Sequence, residues 1–114
     1  MPKALELPLT PAVFFTLLAL AGGEKHGYAI MQETRNLSDG SVRMGPATLY
    51  TTIQRLLEQD FVEEVSGDRE ADSRRRYYRL TRGGRALVDM ELERVEALVK
   101  RARALQWKPA RVKS

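Results

Sequence analysis

The sequence contains no cysteine, a single histidine and no long apolar run. Without cysteine the chain has no disulfide framework, no thiolate nucleophile and no cysteine-based metal site, and one histidine cannot supply a multi-histidine cage. The longest apolar stretch, residues 12–21, is interrupted by Thr16 and is far shorter than the roughly 20 residues that cross a bilayer. We therefore expect a cytoplasmic protein that binds no metal or other cofactor and does not enter a membrane.

The signatures of common enzyme sites are missing as well. The sequence has no glycine-rich phosphate loop and no serine–histidine–aspartate pattern with a pocket signature. The adjacent acids Glu63 and Glu64 fall in a short β-prone run, where neighbouring side chains point to opposite faces and cannot form a catalytic pair. With 114 residues, the chain is long enough for one compact core. An enzyme is therefore not expected.

Positive charge is concentrated in two segments of the chain. The net charge is only +4, yet residues 69–85 contain seven arginines against two acids, and residues 100–114 contain six basic residues and no acid. The rest of the chain is net negative. This distribution favours a polyanionic partner, although an arginine run can also be only a solvated face.

Three short helices are predicted before residue 60. The first begins at Thr10, whose hydroxyl can cap a helix that opens with proline, and it stops at the glycine pair 22–23. The second runs from Gly27 to the Asp-Gly pair 39–40, and the third opens at Gly45. Its apolar residues fall on one arc of about 100°: Leu49, Ile53, Leu56 and Leu57.

After residue 60 the sequence pattern predicts a β-hairpin followed by one long helix. Residues 61–65 and 76–80 are β-prone, and the polar segment 66–75 joins them. Thr81 can cap a helix from about residue 82 to 106. Apolar residues recur there at spacings of 4, 3, 4 and 3, which predicts a coiled-coil seam between two copies of the chain: Val88, Leu92, Val95, Val99 and Ala102.

This order of elements predicts an α+β, mainly α fold, a winged helix-turn-helix with a C-terminal dimerisation helix. We divide the chain into a winged-helix DNA-binding domain at residues 1–80, a dimerisation helix at 81–107 and a disordered tail at 108–114. The division follows the predicted hairpin end and Pro109, which ends any helix.

The face of the third helix opposite its apolar arc is suited to DNA reading. It presents Ala47, Thr48, Thr51, Gln54 and Arg55, with no acidic residue before Glu58. Small side chains permit close approach to base edges, and hydroxyl, amide and guanidinium groups can bond bases or phosphates. The alternative is that this polar face is simply solvated. The run of Arg74, Arg75 and Arg76 beside the hairpin turn adds a second phosphate-binding element, which favours the DNA interpretation.

Within the hairpin, alternation sends one ring of the Tyr77–Tyr78 pair to the core and the other outward, without deciding which. Arg74, nearest the turn, is expected to reach DNA most freely. Arg76 is expected to pair with Glu63 or Glu64 across the hairpin.

Four blocks of sequence together resemble the PadR family of bacterial transcriptional regulators. They are LTP at 9–11, GEKHGYAI at 23–30, GPATLY at 45–50 with RLL at 55–57, and RRRYYRLT at 74–81 followed by GR at 84–85. The resemblance implies a winged-helix homodimer that binds a palindromic double-stranded operator, usually represses, and often releases DNA when a small molecule binds. It also implies phosphate contacts for Tyr28, Thr48 and Tyr50. The single helix after the wing resembles the smaller subgroup of the family.

The effector is less defined. Where some members of this family use a tryptophan across the dimer axis, this sequence has Leu92, and its one tryptophan is Trp107. A candidate pocket for a small apolar or aromatic effector is formed by Phe14, Phe15, Met90 and Leu92. A different class of function, a winged-helix interaction module that binds protein or RNA through the basic tail, is the alternative.

Overall fold

The computed structural model describes residues 5–65, 76–106, 108 and 110. Their elements are α1 (Pro11–Ala21), β1 (Lys25–His26), α2 (Gly27–Leu37), α3 (Pro46–Glu58), β2 (Val62–Val65), β3 (Tyr77–Leu80) and α4 (Arg82–Ala104). This order confirms the predicted mainly helical winged helix-turn-helix. The turn between β2 and β3, Trp107 and most of the predicted disordered tail lie outside the described residues.

The predicted helix starts are confirmed by the hydrogen bonds that cap them. The Thr10 hydroxyl accepts from the backbone N–H of Val13 at 3.3 Å, and the Thr81 hydroxyl accepts from the backbone N–H of Gly84 at 3.0 Å. Each bond satisfies one of the amides that the first turn of a helix leaves without an intrahelical partner. Pro11 and Pro46 occupy the first turn of α1 and α3, where the missing N–H costs nothing.

The sheet has the strand order β1-β3-β2, with both pairings antiparallel. The two-residue strand β1 was not predicted, because two residues are too few to show alternation. Tyr78 pairs with Lys25 in β1 and with Glu64 in β2. Its side chain is the one that enters the core, at 3% exposure, whereas the Tyr77 ring is half-buried and packs edge-on against the His26 ring with centroids 5.4 Å apart.

Helix α1 lies at the centre of the molecule and contacts α2, α3, β3 and α4. Its side chains Leu17 and Leu20 are fully buried, together with Ile30 of α2 and Leu49 of α3. Burying each such aliphatic side chain contributes about 1.5–3 kcal/mol. Because both helices pack on α1, the core fixes the position of α3 relative to α2.

Helix α4 is docked at its start and mostly exposed beyond Glu91. Leu87 and Val88 belong to the core, whereas Leu92, Leu98 and Val99 are exposed. Val88 thus differs from the seam prediction, because its side chain packs in the core of its own chain. At 23 residues, α4 is about 35 Å long. In residues 5–65 and 76–106, no helix is long and apolar enough to span a membrane.

Candidate DNA-binding surface

Helix α3 has one buried face and one exposed face. Leu49, Ile53 and Leu56 are buried, and Thr52 joins them because its hydroxyl donates to the carbonyl of Thr48 at 2.8 Å, within the helix. The opposite face, which we call the reading face, is exposed as the sequence predicted: Ala47, Thr48, Thr51 and Gln54. These four side chains are small or neutral hydrogen-bonding groups, which suit contact with base edges.

A polar contact orients Gln54 at the end of the reading face. Its side-chain amide nitrogen donates to a carboxylate oxygen of Glu58, one turn further along, at 3.3 Å. The bond is exposed, so its net contribution to stability is small and a base edge can replace it. Glu58 therefore lies at the border of the reading face, where a carboxylate disfavours closer approach of phosphate.

Tyr50 links the reading face to the start of α2. A methyl group added at Gly27 would lie 2.5 Å from the Tyr50 hydroxyl oxygen, which means that the ring rests directly on the glycine. Only glycine accommodates this contact without displacing the ring. The hydroxyl of Tyr50, itself 50% exposed, consequently stands at the first turn of α2.

The first turn of α2 adds backbone donors to the same region. The Nδ1 atom of His26 caps it by accepting from the backbone N–H of Ala29 at 3.3 Å. Tyr28 is 62% exposed, and its hydroxyl accepts from the side-chain amide of Gln32 at 3.2 Å. A helix N-terminus carries partial positive charge. The Tyr50 hydroxyl lies beside this N-terminus and Tyr28 belongs to the same turn, and the phosphate contacts expected of the two tyrosines stay predictions.

Arg55 lies between two hollows. One is lined by Tyr50, Thr51, Gln54 and Glu58, and the other by residues 5–10. Arg55 is half-buried, so it is less available than the prediction of a fully outward side chain supposed. Its position still brings a guanidinium to the edge of the reading face.

The strands fix the charges at the base of the wing. Glu63 stands opposite Arg79 in the register, and their side chains form an exposed ion pair at 2.8 Å. Glu63 is therefore paired with Arg79 and not with Arg76, and the pairing predicted between Arg76 and Glu64 stays a prediction. Arg76 is exposed, and its guanidinium lies close enough to Tyr78 to lower the pKa of that hydroxyl. Arg74 and Arg75 lie outside the described residues.

Tyr78 keeps its proton throughout the physiological range. Burial raises the pKa of its hydroxyl above the ordinary value of 10.0, and the negative charge of Glu64 raises it further, while Arg76 opposes both effects. A neutral hydroxyl can donate as well as accept. The residue thus supports the wing from the core side without adding charge.

The predicted dimerisation and effector residues occupy different environments. On α4, Leu92, Val99 and Ala102 are exposed and Val95 is half-buried. Phe14 and Phe15 are half-buried on α1 with ring centroids 5.8 Å apart, and Met90 is 53% exposed. Their roles in a dimer or in an effector pocket stay predictions.

Glu91 is a buried carboxylate that the sequence analysis missed. It is 1% exposed. One of its oxygens accepts from the backbone N–H of Leu9 at 2.9 Å, and Arg94 binds both oxygens. The hydrogen bond from Arg94 is the main cause of the lowered pKa of Glu91, with the Leu9 amide adding to it against the effect of burial. The spacing of Glu91 three and four residues after Val88 and Leu87 was the available signal, since it places the acid on the apolar face of α4.

Comparison with known proteins identifies a family. The model of the transcriptional regulator PadR-like family matches residues 16–90, from the middle of α1 to the docked part of α4. An uncharacterised protein X of Lysinibacillus sphaericus is 38% identical over 65 residues, 57% of this chain and 60% of that protein. An uncharacterised 37.1 kDa protein in transposon TN4556 of Streptomyces fradiae is 36% identical over 80 residues, 70% of this chain and 21% of that protein. The chain thus spans less than two thirds of the length of these curated relatives.

Solved structures share the fold. A transcriptional regulator from Clostridium thermocellum superimposes with a TM-score of 0.67 at 26% identity, covering 82% of this chain and 87% of that chain. A PadR family transcription regulator from Clostridium difficile gives 0.71 at 18% identity, covering 86% and 100%, and at this identity shows the fold alone. BpsR of Bordetella bronchiseptica, whose DNA binding is regulated by 6-hydroxynicotinic acid, gives 0.63 at 27% identity, covering 81% and 63%.

The family match extends over most of the winged helix, including α2, α3 and the described strands. It contains the reading face and the Tyr50–Gly27 contact. Together with the shared architecture, this match shows that the chain belongs to the PadR-like family of transcriptional regulators.

Proposed function

We propose that this protein represses transcription as a homodimer that binds a palindromic operator, with the reading face of α3 in the major groove of each half-site. The observation that carries the proposal is the composition and exposure of that face, where Thr48, Thr51 and Gln54 project with no carboxylate before Glu58. A helix with such side chains fits the major groove and can read base edges there.

Phosphate contacts beside the reading face would orient the helix. The α2 N-terminus with Tyr28 and Tyr50 supplies one set of contacts, and the arginines at positions 74–76 of the sequence supply positive charge for another. Contacts to the backbone carry no sequence information, but they set the register from which the reading face meets bases. Specificity is thus assigned to Thr51 and Gln54, and general affinity to the tyrosines and the wing.

Dimerisation through α4 would bury the apolar side chains that one chain leaves exposed. Leu92 and Val99 are 39% and 46% exposed, and both lie on the predicted seam. Helix α4 is about 35 Å long. Only its start packs on the winged helix, and the rest extends beyond it. A two-fold axis through this seam presents two reading faces to one duplex, which is the arrangement that palindromic half-sites require.

Release by a small apolar or aromatic effector completes the proposal. Phe14 and Phe15 provide adjacent half-buried rings on α1, and Met90 and Leu92 provide exposed apolar groups on α4. The regulation of BpsR by an aromatic carboxylate supports an effector of this class. A molecule held between these helices would alter the geometry of the dimer and hence its fit to DNA.

Selection from a random duplex pool tests this proposal. Purified protein should enrich an inverted repeat with half-site centres about one helical turn, 34–36 Å, apart. Light scattering of the complex should show two chains per duplex. Enrichment of unpaired sites, equal affinity for scrambled duplex, or equal affinity for RNA would each contradict it, the last in favour of an interaction module.

A further inference from the structure

Residues 5–10, which we call the strap, connect the reading helix to the long helix. At one end the backbone N–H of Leu5 donates to the side-chain oxygen of Gln59, the C-cap residue of α3, at 3.1 Å. At the other end the backbone N–H of Leu9 donates to Glu91 of α4 at 2.9 Å. The strap then enters α1 at Thr10. A short segment is therefore tied by side chains to both the DNA-reading element and the helix that leaves the domain.

The contact at Glu91 is held from two sides. The carboxylate receives the strap amide on one oxygen, and the guanidinium of Arg94 binds both oxygens, with Nη2 at 3.3 Å from Oε2. Bidentate pairs of this kind are more directional than a contact to an ammonium group. Since Glu91 is almost completely buried, an altered position would leave a buried charge without its partners.

Glu91 also stands where α4 changes character. On the face of α4 that packs on the domain, Leu87 and Val88 before it are buried, Val95 after it is half-buried and Leu98 is 49% exposed. The helix thus leaves its own domain over the turns that follow Glu91. About 13 residues, or about 20 Å, of α4 follow, and an angular change of about 10° at Glu91 would displace the end by about 3.4 Å, the rise of one base pair.

We propose that Glu91, held by Arg94 and the strap, is a positioning residue that sets the angle between the winged helix and α4, and thereby the spacing of half-sites that the dimer accepts. The inference rests on the proposed palindromic binding. It assigns operator geometry to a residue that lies in neither the reading face nor the seam. Glu91 touches no base in this scheme and acts through the position of α4.

The test measures affinity against a set of operators whose spacer differs by up to two base pairs in either direction. Each added base pair rotates a half-site by about 34°, so wild-type protein should prefer one spacer over its neighbours by on the order of tenfold. Glu91→Gln keeps an acceptor for the Leu9 amide but loses the charge that fixes Arg94. We expect its preference to fall to about threefold or less, while its affinity for a single half-site stays within about twofold of wild type.

Glu93→Gln is the matched control, because it removes the same charge from an exposed position two residues along the same helix. It should keep the wild-type spacer profile. Arg94→Lys keeps the positive charge but loses the bidentate fork, so it should also broaden the spacer profile. It takes the place of Glu91→Gln in the test if that variant is too unstable to assay. A folded Glu91→Gln or Arg94→Lys protein with an unchanged profile would overturn the inference. Wild-type protein that binds paired and single half-sites equally would instead overturn the proposed function.

Discussion

Replacing Gly84 with alanine tests how strongly the first turn of α4 depends on a tertiary contact. A Cβ atom at position 84 would lie 2.0 Å from the backbone carbonyl oxygen of Phe61 and 3.1 Å from its carbon. That same oxygen accepts the backbone N–H of Thr81 at 3.1 Å. The obstacle is backbone rather than the end of a flexible side chain, so α4 and the start of β2 must separate to accommodate the methyl group.

Two effects of opposite sign compete in this substitution. Helix propensity alone would stabilise the alanine variant by about 1 kcal/mol. Overpacking costs about 1–3 kcal/mol, and weakening the Thr81–Phe61 hydrogen bond adds about 0.5–1.5 kcal/mol. The contact therefore outweighs propensity, and we expect Gly84→Ala to lower the free energy of unfolding by about 1–3 kcal/mol.

The adjacent glycine provides the control. At Gly83 the nearest atoms to an added Cβ are 3.6 Å away, an ordinary contact distance, and the residue is exposed. Gly83→Ala should therefore be neutral or more stable by up to about 1 kcal/mol. Urea denaturation followed by circular dichroism measures both variants, at one fixed protein concentration because the proposed dimerisation would also affect stability. A Gly84→Ala protein as stable as Gly83→Ala would refute the reasoning.

Four further outcomes are expected. Val99→Asp places a charge in the α4 seam and should raise the dimer dissociation constant at least about tenfold, as measured by sedimentation; an unaltered constant would move the interface elsewhere. Thr51→Ala should reduce discrimination against single-base operator variants by about 1 kcal/mol, whereas Tyr50→Phe should weaken all duplexes alike, and titration of an operator panel separates the two patterns. The pKa of Glu91 is lowered from its ordinary value of 4.5, so its charge stabilises the fold above that pH, and this contribution is lost as pH falls through the lowered pKa. In Glu91→Gln the free energy of unfolding should therefore fall less steeply as the pH is lowered. Urea titrations between about pH 3 and pH 7 measure this dependence. Arg74→Ala should reduce the slope of log K against log salt by about 2 for two wings, and an unchanged slope would mean that this arginine is only solvated.

Features that depend on neighbouring residues were predictable from the sequence. The starts of α1, α3 and α4 follow from Thr10, Pro46 and Thr81, whose chemistry acts within one helical turn. The exposed face of α3 follows equally from the helical period, since the buried positions of Leu49 and Ile53 determine which side chains point outward. Most of the fold and the reading face could therefore be derived from local rules.

Features that depend on residues far apart in the chain were not predictable. Strand β1 forms because Lys25 pairs with Tyr78, 53 residues further along the chain. A two-residue strand has no sequence pattern from which this pairing could be predicted. The helical spacing shows that Glu91 lies on the apolar face of α4, but its bond from the Leu9 amide joins residues 82 positions apart, and the heptad pattern by itself placed Val88 in a seam instead of the core. The pairing of Glu63 with Arg79 depends on strand register, which places the two residues opposite each other and which the sequence alone does not determine.

The exposure of the reading face also makes the protein a candidate for retargeting. Ala47, Thr48, Thr51 and Gln54 lie outside the core that holds α3 in place, and substitutions at such positions usually change stability by no more than about 0.5 kcal/mol. The Tyr50 hydroxyl, in contrast, lies against Gly27 at the start of α2, and both residues stay unchanged in such a library because Tyr50 is proposed to contact phosphate. A library confined to those four positions can therefore explore new operator sequences on an unchanged scaffold.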